Sequence, residues 1–253
     1  MEYCGRICYN SQDKMTENSA FKFLNGLVEK GHYAVLEHAA VDVRDNMPEL
    51  DKLQDDSPEF GLVMSRAVLG ELRYSDLLRF SSKYDTLEKA KELPVFDGLY
   101  SFEIHCSRNT SHQFERHRNA SYCERSLRRF KWKSFDDFEA VCPFKTNTVK
   151  QMLWQRACKE GFDAYQELMK EGASPDEARS VLPSSTATVF VATMDLTWWL
   201  YFLSLRYEPH ASKEIQTIAR QIYRQLPKEV HEAAEKTGMT EQFKKVDEVL
   251  DAE

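Results

Sequence analysis

Apolar residues first recur at helical spacing through Phe21, Leu24, Leu27 and Val28, which predicts an amphipathic helix over 17–30. Gly31 stands where a left-handed cap belongs. Residues 32–38 read as a polar turn leading into a short strand over 39–43. The stretch 45–57 is acidic and loop-like. Beyond it, Leu62, Ala67, Leu72, Leu77 and Leu78 predict an amphipathic helix over 60–80, and 86–93 suits one or two further helical turns. Alternation returns at 100–105 and predicts a strand. A helix is expected over 107–120, capped by Ser107 or Asn109, with Gln113, Arg116 and His117 on one face at i, i+3 and i+4.

From Ser121 the period changes to two, so an extended run over 121–130 would project Glu124, Ser126 and Arg128 together. A long helix over 148–170 carries an expected core stripe of Met152, Trp154, Ala157, Gly161, Tyr165, Leu168 and Met169, and Gly172 closes it. Ser174, Pro175 and Glu177 form a capping box for a short helix that carries Arg179 and stops before Pro183. Residues 186–194 read as a strand. Asp195 would then cap a helix over 196–206 that is apolar nearly all round, and Arg206 emerges from its hydrophobic wall. A further amphipathic helix is expected over 210–226, and the tail beyond Pro227 reads as two short polar helices at the periphery.

Charge changes this picture at one place. The 253-residue chain is acidic, with 34 Lys+Arg against 41 Asp+Glu and a formal net charge of −7. Yet Arg116, Arg118, Arg125, Arg128, Arg129, Lys131, Lys133 and His117 crowd around a single carboxylate, Glu124. Such an island implies an anionic ligand, and guanidiniums suit phosphate or carboxylate because their planar fork donates two parallel hydrogen bonds. An acceptor, a hydroxyl and a guanidinium in Glu124, Ser126 and Arg128 suit a phosphate that carries sugar hydroxyls. A solvated edge strand is the competing explanation. Nucleic acid is disfavoured as a partner by the acidic total.

The remaining composition excludes more than it selects. Six scattered cysteines without a CxxC pair, and no secretory leader, suit reduced thiols in a cytoplasmic protein. The longest apolar run, 196–205, is too short to cross a membrane. No glycine spacing matches a dinucleotide or P-loop fingerprint. His32, Glu37 and His38 invite a metal, but no further ligand stands at a matching distance, so no metal site is expected. Residues 45–99 carry no recognisable chemistry. A passive surface insertion is the favoured reading there, and a partner-binding appendage the other.

The run Arg116-His117-Arg118, followed after seven residues by Ser126, resembles the signature of the flavin-dependent thymidylate synthases. Gly5-Arg6-Ile7-Cys8-Tyr9-Asn10, Gly31-His32 through Leu36-Glu37-His38, Ala178-Arg179-Ser180-Val181-Leu182-Pro183 and Phe202 through Arg206 resemble that family in the expected order. So do His210-Ala211 and Glu214-Ile215. The resemblance implies a single α+β domain over 1–253, with a central, mostly antiparallel sheet flanked by helices and an inserted helical segment at about 45–99. It implies conversion of dUMP to dTMP, with methylenetetrahydrofolate as one-carbon donor and NADPH and FAD as reductants, in a homotetramer with shared active sites. By position it assigns Gln113, Arg116, Glu124, Ser126, Arg128, Arg179 and Arg206 to dUMP. His32, Arg116, His117, Arg118, Glu124, Asp195 and Tyr201 fall at flavin positions, and Arg206 at the residue that orients and polarises the uracil.

Some positions depart from the family. Asp195 and Thr197 replace the usual Asn and Arg, Tyr201 takes a place usually held by Asn or His, Ala34 replaces a small hydroxyl residue, and Cys123 replaces Asn or Ser. Asp195 is explained by helix capping, although a carboxylate close to a flavin diphosphate would repel it. The alternatives are C5 alkylation of another pyrimidine nucleotide on the same scaffold, and a non-catalytic descendant that binds a nucleotide or partner.

Overall fold

The computed structural model describes residues 1–128, 131–144 and 148–252; Arg129 and Phe130, placed in the extended run above, lie outside the described residues. The chain opens on a helix that the hydrophobic pattern does not announce, α1 (Glu2–Tyr9). The helix α2 (Ser19–Val28) follows. It ends as Gly31 foretells, at φ 71°, with the Gly31 and His32 amides donating back to the Val28 and Leu27 carbonyls. A 3-10 segment, Tyr33–His38, leads into β1 (Ala40–Asp42).

The single helix expected over 60–80 is in fact three elements: α3 (Phe60–Val68), β2 (Glu71–Arg73) and α4 (Tyr74–Phe80). Gly70 breaks it at φ 88°, and β2 pairs antiparallel with β1, Val41 facing Leu72. The short α5 (Leu87–Ala90) is capped by Thr86. This segment is not a passive surface insertion. Val63, Leu72, Leu77, Leu78, Leu87 and Ala90 join Cys4, Ile7, Leu24, Leu36, Val189 and Val191 in one buried cluster.

Then come β3 (Leu99–Ser107), α6 (Arg108–Phe114), β4 (Ser121–Glu124), α7 (Val149–Lys170), α8 (Pro175–Ala178), β5 (Ala187–Asp195), α9 (Leu196–Arg206), α10 (Lys213–Gln225), α11 (Lys228–Lys236) and α12 (Met239–Asp251). The main sheet is antiparallel, in the order β3-β5-β4, with Ile104 facing Phe190 and Tyr122 facing Ala192. The α+β class is therefore as expected. Strand β5 is buried along nearly its whole length because both of its faces are covered. Phe190, Ala192 and Met194 face the helices α6 and α9–α12, and Val189 and Val191 face the cluster built by α1, α2 and residues 35–90.

Three further expectations are corrected. The tail is not peripheral, since Val230, Ala234, Phe243, Val246 and Leu250 belong to the same core as Trp199 and Phe202. Helix α7 buries Cys158, Phe162 and Tyr165, at i, i+4 and i+7, while Met152 is 63% exposed. Helix α9 is not buried all round, because Tyr201 (49%) and Leu205 (43%) face outward.

His38 lies between the two halves of the molecule, with Nδ1 2.7 Å from the Thr193 hydroxyl, which is itself 2.7 Å from that of Ser101. Burial and the nearby Arg73 charge push its pKa down to about 3, so it is neutral in the fold. The unfolded chain, titrating near 6.5, takes up the proton first. The stabilisation is intact above about pH 6.5 and is lost as the pH falls from there toward 3, at about 1.4 kcal/mol per unit. Urea unfolding at pH 7 and pH 5 is expected to show this slope in the wild type and a shallower one in His38→Gln. Equal slopes would remove the assignment.

Candidate functional site

The nucleotide-type residues are carried on β4, on the end of α6 and on α9. Helix α6 is held at its start by Glu214 of α10, whose carboxylate accepts from the Ser107 amide (2.6 Å), the Ser107 hydroxyl (2.6 Å) and the Thr110 hydroxyl (2.7 Å). Ser107, not Asn109, is the cap. The helix stops at Phe114, six residues earlier than expected, so Gln113, Arg116 and His117 do not share a helical face. Instead the His117 amide donates to the Phe114 carbonyl at 2.8 Å, and the Tyr122 hydroxyl caps both the Phe114 and His117 carbonyls at 2.5 and 3.2 Å.

That turn brings His117 beneath Arg206. Arg206 Nε donates to His117 Nε2 (3.1 Å), and its Nη2 donates to the Gln113 carbonyl (3.1 Å). His117 is buried against Phe202 at 5.0 Å and Tyr201 at 6.0 Å between ring centroids. Burial first, and the Arg206 charge second, lower its pKa to about 4. The imidazole is therefore neutral, with the proton on Nδ1 and Nε2 accepting. Arg206 is held in the same way: burial lowers its pKa, and Arg116 adds like-charge repulsion. Gln113, His117, Tyr201 and Arg206, with Arg116 nearby, thus form one group. Arg116 and Arg118 are exposed and have no acidic partner among the described residues.

Glu124 ends β4 rather than opening a longer extended run, so Glu124, Ser126 and Arg128 do not project from one strand face. On β4, Ser121 and Cys123 face α1, while Tyr122 and Glu124 face α6. Glu124 Oε2 pairs with Arg108 at 2.8 Å, and its Oε1 is buried without a hydrogen-bond partner among the described residues. The Ser126 amide donates to the Cys8 carbonyl at 3.2 Å. Arg128 and Arg179 share Asp176, at 3.9 and 2.6 Å. This second group lies on α8 and the segment after β4.

One expected flavin residue, Asp195, stands apart from the Arg206 group. Asp195 accepts from the Thr197 amide at 2.8 Å and the Trp198 amide at 3.1 Å, so it is the helix cap that the sequence suggests. The eleven residues of α9 put it about 16 Å along the axis from Arg206. His32 Nδ1 lies 3.0 Å from the hydroxyl of Tyr9, the last residue of α1. The Cys123 thiol is buried on β4, and its hydrogen bond with Cys8, and then burial, push its pKa up. Sequence reasoning missed Arg108, Tyr122 and Asp176 altogether. Glu214 was visible only as part of a family block, without a role.

A family model described as "Thymidylate synthase complementing protein" matches residues 91–231, from just before β3 into α11. The chain belongs to that family. Among curated relatives, the flavin-dependent thymidylate synthase of Thermococcus onnurineus is 36% identical over 126 residues, 49% of this chain and 51% of the relative. That of Saccharolobus solfataricus is 35% identical over 135 residues, 53% of this chain and 51% of the relative. This chain thus spans about half the length of these relatives. That of Mycolicibacterium vanbaalenii is 26% identical over 89% of this chain and 74% of its own length. Among solved structures, the Helicobacter pylori flavin-dependent thymidylate synthase complexed with FAD and dUMP aligns at a TM-score of 0.44 and 25% identity, over 52% of this chain and 69% of that one. No helix among the described residues is long and apolar enough to cross a membrane.

Proposed function

We propose that the chain is a flavin-dependent thymidylate synthase that converts dUMP to dTMP, with methylenetetrahydrofolate as one-carbon donor and NADPH and FAD as reductants. One observation carries the reading: a guanidinium, Arg206, is fixed at the edge of an aromatic wall by a neutral imidazole and a backbone carbonyl. Neither partner is an anion, so the charge stays available to a ligand. A preorganised cation in a poorly hydrated site stabilises negative charge developing on a pyrimidine carbonyl. Arg206 orients and polarises the uracil, Glu124 Oε1 accepts a hydroxyl or ring N–H, and Ser126, Arg128 and Arg179 bind the phosphate with Gln113 and Arg116.

The donor set also fits a flavin. Arg116 and Arg118, without an acidic partner among the described residues, offer cations to its diphosphate, and the exposed Tyr201 ring beside His117 offers a stacking surface. FAD supplies the hydride chemistry when it is bound. The separation of Asp195 from Arg206 along α9 supports a site closed between copies of the chain, as in a homotetramer.

Incubation with FAD, dUMP, methylenetetrahydrofolate and NADPH is expected to yield dTMP, with no C5 product from UMP or dCMP. A colourless protein that takes up no flavin in the presence of FAD and dUMP would overturn the proposal. As a cap, Asp195 should tolerate replacement by asparagine with a stability change of a few tenths of a kcal/mol, whereas Asp195→Ala should lose about 1 kcal/mol in urea titrations. If the two variants lost the same amount, capping would not be the role of Asp195.

A further inference from the structure

Tyr122 is the second residue of β4 and stands opposite Ala192 of β5, so the register of the main sheet fixes where its side chain rises. The half-buried ring packs beside Phe190, with centroids 6.1 Å apart, against the core that α9 and α10 share with the sheet. From there its hydroxyl reaches the turn after α6, donating to the Phe114 carbonyl at 2.5 Å and lying 3.2 Å from the His117 carbonyl. Burial first, and the Glu115 carboxylate second, push its pKa up, so the phenol keeps the proton that these contacts need.

The turn held in this way is the one that holds Arg206. Arg206 Nη2 donates to the Gln113 carbonyl and its Nε to His117 Nε2, both at 3.1 Å. The guanidinium and the phenol therefore grip the same five residues, 113–117, from α9 and from β4. Residues 115–120 belong to no helix or strand, so no regular backbone ladder fixes them. Water could satisfy the last carbonyls of α6 equally well, as it does at many helix ends, but it would not set their distance from Arg206. A rigid ring with two rotatable angles, rooted in a sheet, does set it.

We infer that Tyr122 is a positioning residue: its hydroxyl ties the His117 turn to the main sheet and thereby fixes the guanidinium of Arg206 where the ligand meets it. Tyr122 acts through Arg206 rather than on the ligand. This inference deepens the role given to Arg206 above and rests on that reading for its effect on turnover, whereas the tie itself is measured without turnover.

Tyr122→Phe tests it, because the ring stays and only the hydroxyl goes; circular dichroism should match the wild type. The kcat/KM for dTMP formation should fall by about tenfold to a hundredfold, the scale on which a small misplacement of a reacting group is felt. The same substitution made in Arg206→Ala should cost almost nothing further, since the group it positions is already gone. A hydroxyl that only stabilised the fold would lower both enzymes by the same factor, and that result would overturn the inference. NMR titration of His117 supplies the reading that needs no turnover. In Tyr122→Phe its pKa should rise from about 4 but stay below 6.5, as the Arg206 charge moves off while the burial remains. An unchanged His117 titration would also overturn the inference. If the wild type made no dTMP and the titration still moved, the thymidylate reading would fall and the tie between Tyr122 and Arg206 would stand.

Discussion

Arg206→Ala is expected to reduce dTMP formation by at least about 10²–10³-fold, the usual consequence of removing one preorganised donor from developing charge. The fold should survive. The residue lies at the end of α9, and its loss removes two hydrogen bonds, to His117 Nε2 and to the Gln113 carbonyl. A second readout separates an electrostatic role from a structural one. The His117 pKa is lowered by burial first and by the Arg206 charge second. In the alanine variant it should rise from about 4 but stay below 6.5, because the burial remains, and NMR titration of the imidazole reports this. Arg206→Lys keeps a charge without the fork, so it should keep His117 acidic yet still turn over slowly. Unchanged dTMP formation in Arg206→Ala would remove this residue from the mechanism.

Which parts of this site could be read beforehand follows from where the deciding interactions lie. Asp195, Ser174 and Gly31 act on backbone amides or conformations within five residues, so local chemistry announces them. Strand β5 is legible because a run covered on both faces is apolar without alternation. The end of α6 is not legible. Its last carbonyls are taken by Tyr122 and Arg206, donors that arrive from β4 and α9, so the helix can stop at Phe114 without a local signal. The same holds for 60–80. Apolar residues keep recurring past Gly70, at Leu72, Leu77 and Leu78, and only pairing of Glu71–Arg73 with Ala40–Asp42 turns 71–73 into a strand. In α7 the expected stripe holds at Tyr165, with Trp154, Gly161 and Met169 half-buried beside it. It fails at Met152, Ala157 and Leu168, because apolar residues also stand on the outward face while Cys158 and Phe162 complete the buried one. The tail helices were judged by overall polarity, although Phe243, Val246 and Leu250 follow helical spacing.

The buried pair made by that unforeseen strand should dominate stability. Arg73 and Glu71 have side chains only 2% and 1% exposed, 3.1 Å apart, and Arg73 Nη1 also donates to the Glu37 carbonyl at 2.7 Å. Arg73→Ala leaves a carboxylate in the core without its counter-charge, and the expected loss is about 3–5 kcal/mol in urea unfolding. For a chain of this size that corresponds to a fall in Tm of roughly 10 °C. Burial already holds the Glu71 pKa above the usual carboxylate range, and losing Arg73 raises it further. A raised folded pKa means that stability is present below the unfolded value near 4.3 and is lost as pH rises through the folded one, so the gap from wild type should narrow between pH 7 and pH 5. The paired replacement Glu71→Gln/Arg73→Met should recover most of the loss, because no charge is then stranded. A single-variant loss below about 1 kcal/mol would mean that water reaches the pair. The effect also reaches the site, because the Glu37 carbonyl that accepts from Arg73 accepts from the Ser121 hydroxyl at 3.0 Å as well. Ser121 begins the strand that ends at Glu124. Residues 71–73 therefore help hold the strand that presents Glu124, and Arg73→Ala should weaken dUMP binding at temperatures where the chain is still folded.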